Sequence, residues 1–224
     1  MLFDLRARGR RRTIQVIYLF LAILIGGGLV LFGVGGSGFG ILNADQNSGG
    51  GGGGGFGKQI QRLEKQVAVN PKAAAAWSEL ARLRFQEAGS NFDQGTGAFT
   101  SDGRKTLAQA SAAWQRYIAL DPARPDADVA RLMAQAYGPG GLNQPAKAAQ
   151  ALEIVAVDSP SAATYSQLAL FAYAAGETRK GDLAAAKAVD LAPKAQKATV
   201  RQQLAAAKKQ GPNALRGGQP PASG

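Results

Sequence analysis

Apolar residues recur at intervals of three and four from Lys58 to about Gln210, and a proline or glycine interrupts the pattern every 12–18 residues or so. This spacing places the apolar side chains on one face of a helix, and the interruptions mark the ends of successive helices. The same stretch has no convincing alternation of apolar and polar residues, which is the pattern of a strand. The sequence therefore predicts an all-α domain over residues 58–210.

A different pattern precedes this domain. Residues Thr13 to Ala44 carry no charge, and the apolar stretch in 13–35 is long enough to cross about 30 Å of hydrocarbon as a helix. Residues 1–12 contain five arginines and one aspartate, and such basic segments stay in the cytoplasm. We therefore expect a single-pass protein of the cell membrane, with a cytoplasmic N-terminus (1–12), a transmembrane helix (13–35) and an extracytoplasmic C-terminal domain.

A cleaved signal peptide is the alternative interpretation of this apolar run. Secretory apolar segments are usually about 7–15 residues long, so the length favours an uncleaved anchor. A cleavage site within 35–40 stays open. Seven consecutive glycines, Gly49–Gly55, lie in the following segment, which predicts a flexible linker over 36–57. The polar end of the chain, 211–224, predicts a disordered tail.

An internal repeat organises the helical region, because four similar phrases end in proline: QVAVNP at Pro71, YIALDP at Pro122, VAVDSP at Pro160 and AVDLAP at Pro193. Twelve residues before these prolines, three of the four positions are small, and eight residues before them most are large. A small residue lets two helices approach, and a large one fills the space one turn further on. The paired positions are Gln59 and Leu63, Ala110 and Trp114, Ala148 and Leu152, and Gly181 and Ala185.

A second set of residues recurs between the prolines: Trp77-x-x-Leu80-Ala81, Ala130-x-x-Met133-Ala134-x-x-Tyr137 and Tyr165-x-x-Leu168-Ala169. Together with the prolines, these motifs resemble the tetratricopeptide repeat (TPR), a helix-turn-helix unit of about 34 residues. The resemblance covers about 58–193. It implies a short α-solenoid of three helix hairpins (72–122, 123–160 and 161–193), a preceding helix (58–69) and a capping helix (about 194–209).

Departures from the repeat are informative. Arg84 and Ala172 stand where an aromatic residue is expected, and Ala185 replaces the large residue of the last hairpin, so we expect that hairpin to be thin. The first repeat carries an insertion at Gly89–Lys105, whose Gly, Ser, Thr and Asp residues predict a disordered segment. The alternative is a contact loop formed by Asp93, Asp102 and the Ser and Thr residues. Asp126 and Asp128 predict a solvated loop rather than a metal site.

The architecture is similar to that of bacterial membrane-anchored repeat proteins that serve as envelope-assembly or translocon-associated scaffolds. The resemblance implies a scaffold or adaptor that binds a protein or peptide partner with the concave face formed by the first helices. The alternative is an accessory subunit of a membrane complex, recruited through its transmembrane helix. The predicted groove positions are Arg82, Phe85, Arg131, Gln135, Leu170 and Tyr173.

Some TPR domains hold a partner's C-terminal carboxylate in a clamp of Lys, Asn and Arg. The corresponding positions here contain a single basic residue, so we do not expect that mode of binding. The chain also has no histidine and no cysteine, which removes the commonest general base and the thiolate metal ligands. We expect neither an enzyme nor a cofactor. The clamp positions are Ser78, Arg82, Leu132, Ala163 and Gln167.

The net charge of +11 is concentrated at the two ends of the chain. From Lys194 onward there are six basic residues and no acidic one. This segment predicts either a capping helix with a solubilising tail or a contact with anionic lipid. A nucleic-acid partner is not expected, because the body of the domain is nearly neutral.

Overall fold

The computed structural model describes residues 54–215, and within that range eight α-helices follow one another along the chain. The all-α prediction is confirmed for this part of the chain, apart from one very short β-hairpin, β1 (Phe92–Asp93) and β2 (Ala98–Phe99). The helices are α1 (Gly54–Val69), α2 (Ala74–Gly89), α3 (Ser101–Ala119), α4 (Ala127–Ala136), α5 (Pro145–Asp158), α6 (Ala162–Ala174), α7 (Thr178–Leu191) and α8 (Lys197–Gln210).

Neighbouring helices along the chain are also neighbours in space. The most extensive packing joins α2 with α3 and α6 with α7, and α5 packs as extensively on α6 as on α4, while α1 packs on α2 and α8 packs on α6 and α7. The four prolines of the repeated phrases lie two or three residues beyond the ends of α1, α3, α5 and α7. Proline cannot continue a helix and ends it at this position, so each repeated phrase marks the end of a helix.

Small residues line the interfaces within the hairpins. Ala81, Ala110, Ala148 and Ala169 are fully buried, and Ala134 is only 5% exposed. Their methyl groups let two helix backbones approach closely, which larger side chains would prevent. The small residues of the repeated motifs are therefore buried in the core of the domain.

A few large side chains fill the core around these alanines. Trp114 is 3% exposed, as its place in the repeat predicts, and its ring lies 5.2 Å from that of Tyr117. Tyr137 is completely buried, and its hydroxyl forms a 2.9 Å hydrogen bond with Ser111. Burial raises the pKa of Tyr137. A buried phenol needs such a partner, because an unpaired hydroxyl in the core costs stability.

The predicted disordered insertion at 89–105 is wrong. Helix α2 continues to Gly89, and α3 begins at Ser101 after Thr100, whose side chain accepts a hydrogen bond from the Gly103 backbone N–H. Between them, the β-hairpin turns through Gly97, whose φ of +65° suits glycine. The Asp93 carboxylate supports this turn by accepting hydrogen bonds from the Gly95 N–H and the Thr96 hydroxyl. These local bonds give the polar insertion a defined structure.

The domain is longer than the predicted 58–210 at both ends. Residues 54–57, assigned to the glycine linker, form the first turn of α1, which continues N-terminally from the buried Ile60. Residues 211–213, assigned to the tail, form a 3₁₀ turn, and Ala214 beyond it is 8% exposed. No helix within 54–215 is long and apolar enough to cross a membrane. The predicted span (13–35), the N-terminus (1–12) and the rest of the linker lie outside the described residues.

Asp126 connects the first two hairpins. One carboxylate oxygen caps α4 by accepting from the backbone N–H groups of Asp128 and Val129. The other accepts from the Ser78 hydroxyl at 3.0 Å and from Arg82 at 3.4 Å, both on α2. The Asp126 backbone N–H donates to the Tyr117 hydroxyl on α3 at 2.8 Å. The predicted solvated loop is therefore wrong at Asp126, which links three helices.

Replacing this carboxylate tests its role. We expect Asp126→Ala to lower the free energy of unfolding by about 2–3 kcal/mol, because it removes a helix N-cap and leaves the buried Ser78 hydroxyl unpaired. Equilibrium denaturant unfolding measures the change. Asp128→Ala is the matched control, since this exposed carboxylate contacts only Arg131 on its own helix, and we expect less than about 1 kcal/mol. Equal losses from the two substitutions would contradict the role of Asp126.

Candidate partner-binding face

The six predicted groove residues lie on the first helices of the three hairpins, with Arg82 and Phe85 on α2, Arg131 and Gln135 on α4, and the last two on α6. Helices α2 and α4 contact each other directly. The structure therefore brings the residues of α2 and α4 onto adjoining helices. We call the exposed surface of α2 and α4, together with the β-hairpin, the α2–α4 face.

The two arginines of this face already have carboxylate partners. Arg82 lies 3.4 Å from Asp126 and 3.5 Å from Glu79. Arg131 lies 3.1 Å from Asp128, three residues earlier on α4. About a third of each arginine side chain is exposed. Both side chains are thus positioned by the protein itself, and a partner's acidic group would have to compete with these carboxylates.

Phe85 belongs to a row of three aromatic rings. Its ring meets that of Phe99 edge-on at 6.4 Å between centroids, and Phe99 meets Phe92 in the same manner at 5.0 Å. Phe85 and Phe99 are half-buried, whereas Phe92 is 41% exposed. Edge-on aromatic pairs stabilise each other beyond their buried area. We call Phe85, Phe99 and Phe92 the aromatic row; it carries apolar surface from α2 out along the hairpin.

The hairpin that carries two of these rings is held against the second repeat. The Phe99 backbone N–H donates to the Gly140 carbonyl at 2.8 Å, and the Thr100 N–H donates to the Asn91 carbonyl at 2.9 Å. Gly140 lies in the loop between α4 and α5, close to Gly97 of the hairpin turn. A side chain at Gly140 would collide with that turn, so glycine is required for the close approach. The aromatic row is thereby positioned beside the end of α4.

Gln135 and Leu170 differ in exposure. Gln135 is exposed in the last turn of α4, which leads into the loop that contacts the hairpin. Leu170 is half-buried and packs against the core. Among the predicted groove residues, Gln135 is the exposed polar one closest along the chain to Gly140, which contacts the β-hairpin. Leu170, in contrast, exposes little of its side chain.

Tyr173 was predicted to be an exposed groove residue, and this is wrong. Its side chain is 3% exposed, and its ring lies against the α-carbon of Gly181 on α7. Its hydroxyl donates to the Asp182 carboxylate at 2.9 Å, and burial together with this carboxylate raises the pKa of Tyr173. Glycine at position 181, where the other hairpins have alanine, makes room for the ring. Tyr173 therefore supplies the bulk that Ala185 does not provide.

Asp182 also connects this hairpin to the capping helix. Lys208 on α8 donates to the second Asp182 oxygen at 2.8 Å. Hydrogen bonds from Lys208 and Tyr173 lower the pKa of Asp182. Lys208 thus has a structural role in packing α8 on α7. For this residue, the capping-helix interpretation is favoured over a contact with anionic lipid.

Sequence reasoning missed Phe92 and Phe99 because it treated their segment as disordered. An aromatic pair flanking a turn of Asp, Gly and Thr was the available signal (92–99).

Among protein-family models, curated proteins and solved structures, no match to this chain was found. The geometry of the α2–α4 face is therefore the basis for proposing a function.

Gly181→Ala distinguishes the observed packing from a regular repeat. Helix propensity alone predicts a gain of about 1 kcal/mol for this change. The structure predicts a loss of about 1–3 kcal/mol instead, because the added methyl group would collide with the Tyr173 ring. Thermal or denaturant unfolding gives the sign. Gly57→Ala, whose new methyl group meets nothing within 4 Å, is the control and should not destabilise. Stabilisation by Gly181→Ala would show that Tyr173 lies elsewhere.

The lowered pKa of Asp182 predicts part of the acid sensitivity of the domain. A carboxyl whose pKa is lower in the folded than in the unfolded state stabilises the fold above its unfolded pKa, and this stabilisation is lost as the pH falls through its folded pKa. We therefore expect Asp182→Asn to have a lower melting temperature than the parent protein near neutral pH. In acid, the difference between the two melting temperatures should become smaller. Melting curves from pH 7 down to about 3 test this. A difference that is independent of pH would contradict it.

Proposed function

We propose that the chain is a membrane-anchored adaptor of the TPR type, which binds an extended segment of a partner protein on the extracytoplasmic side of the cell membrane. The α2–α4 face is the proposed binding surface. The observation that carries this proposal is the aromatic row, which extends the groove residue Phe85 through Phe99 to the partly exposed Phe92. Aromatic side chains held in place by packing are typical anchors of protein interfaces.

The surroundings of the aromatic row define the kind of segment that it would bind. An apolar or aromatic side chain of the partner would pack on Phe92, and Gln135 would hydrogen-bond to the partner's backbone or polar groups. Arg82 and Arg131 are already paired with carboxylates, so they would position the face rather than capture a terminal carboxylate. The preferred partner is therefore an internal, extended segment with an apolar anchor.

Photocrosslinking on the full chain in its native membrane tests this function. A photoreactive residue at Gln135 should give a discrete adduct, whereas one at the exposed Leu183 on α7 should not. We expect Phe92→Ala to reduce the Gln135 adduct by about 30-fold, as for truncation of an aromatic anchor worth about 2 kcal/mol. Val157→Ala, at another exposed apolar position, is the matched control.

Two outcomes would overturn the proposal: an unchanged adduct in the Phe92→Ala protein, or equal adducts at Gln135 and Leu183. A replacement of residues 13–35 by an unrelated span separates the adaptor from the alternative function. An adaptor keeps its Gln135 adduct after this replacement, whereas an accessory subunit recruited through its transmembrane helix loses it.

A further inference from the structure

Helix α1 has two faces of opposite character. Ile60, Leu63 and Val67 face α2, and Ile60 and Val67 are almost completely buried. On the opposite side, at intervals of four, three and four residues, lie Lys58, Arg62, Lys65 and Val69, which a helix places in one line. All four are exposed, and Val69 is 87% exposed. We call these four residues the α1 stripe.

No carboxylate within residues 54–215 lies within salt-bridge distance of the three cations of the α1 stripe. The single acidic residue of α1, Glu64, is paired with Arg84 on α2. The outward side of α1 thus presents three positive charges in a line about 10 Å long, at about 1.5 Å per helical residue. An exposed valine at the end of this line adds apolar surface.

We propose that the α1 stripe lies on an anionic lipid surface and so orients the helical domain relative to the membrane. Lys and Arg on an exposed side of a helix are attracted to anionic headgroups, and the exposed valine beside them adds apolar surface that lipid can cover. An acidic polypeptide would satisfy the cations but not the exposed valine. Each basic residue near such a surface strengthens association about fivefold, and three together about 100-fold.

Position along the chain favours the same surface. The α1 stripe begins four residues after the start of α1, and the glycine-rich segment 36–53 separates α1 from the predicted span. The sequence predicts a flexible linker there, and about 18 residues of such a coil would reach roughly 20–25 Å. This step rests on the proposed membrane anchor, which lies outside the described residues. Given that anchor, α1 is the element of the domain with the shortest tether to the membrane.

The test uses the full chain in liposomes with a quencher attached to the lipid headgroups. Because the sequence has no cysteine, Gln61→Cys places a single fluorophore beside the α1 stripe and leaves the stripe intact. We expect strong quenching in phosphatidylcholine mixed with phosphatidylglycerol at low salt. The quenching should fall to the level of pure phosphatidylcholine at about 1 M salt, where the Debye length is about 3 Å. A fluorophore at Val157→Cys on α5 should stay unquenched.

Charge variants assign the contact to one helix. Replacing Lys58, Arg62 and Lys65 by Gln should reduce the quenching at position 61 to that in pure phosphatidylcholine. The matched control replaces Lys194, Arg201 and Lys209 by Gln, which removes the same charge from exposed positions in or beside α8, and should leave quenching unchanged. Quenching that survives the first triple replacement, or is lost only in the second, would overturn the proposal. The second result would assign the lipid contact to the C-terminal segment.

A separate measurement distinguishes failure of the anchor from failure of the α1 stripe. Flotation with pure phosphatidylcholine liposomes at about 1 M salt reports the span alone, because charge contacts are screened. If the chain does not float, the proposed anchor fails. The α1 stripe is then judged by flotation with phosphatidylglycerol liposomes at low salt, where the first triple replacement should weaken association about 100-fold. An equal affinity of the parent chain and the first triple replacement for these liposomes would overturn the proposed role of the α1 stripe.

Discussion

Close approach of helix backbones across alanine is the constraint on which this domain depends. The buried alanines at 81, 110, 134, 148 and 169 allow each helix to pack near its neighbours, but each methyl group removes little apolar area from water. The area must come from a few large side chains that fit the remaining space, chiefly Trp114, Tyr117, Tyr137 and Met133. Shape complementarity, more than total hydrophobic bulk, therefore determines which substitutions the core tolerates.

The sequence was sufficient to predict the helices and their pairing, because both depend on local signals. Prolines end the helices, and small residues recur at a fixed distance before them. Contacts that depend on tertiary structure were not predictable in this way. Two-residue strands are too short to show an alternating pattern, which hid the β-hairpin. Tyr173 was assigned by its place in the repeat, and the repeat does not reveal that glycine at 181 leaves space for its ring.

The candidate site was predictable to a similar extent. The sequence located Phe85, Gln135 and the two arginines on the first helices, where the structure has them. It did not indicate that Arg82 is paired, because Asp126 is 44 residues away in sequence. The partner of Arg131 is three residues away on the same helix and was therefore recognisable from spacing alone. Long-range pairing thus determines the chemistry of these residues, whereas local patterns place them only on their helices.

The contact between the β-hairpin and the α4–α5 loop has a mechanical consequence. The first two hairpins are joined by a backbone hydrogen bond from Phe99 to Gly140 and by the partly buried hydrogen bonds of Asp126 to α2 and α3. The second and third hairpins are joined by extensive packing of α5 on α6. A partly exposed salt bridge between Glu153 and Lys180 at 2.9 Å, which salt weakens, adds to this packing. The two junctions consequently differ in kind: directional hydrogen bonds fix the first, whereas close helix packing holds most of the second. Rotation of the first hairpin against the second would have to break these directional bonds, so the shape of the α2–α4 face depends on a junction with few helix-to-helix contacts, whereas added salt would weaken only the ion pair of the second junction.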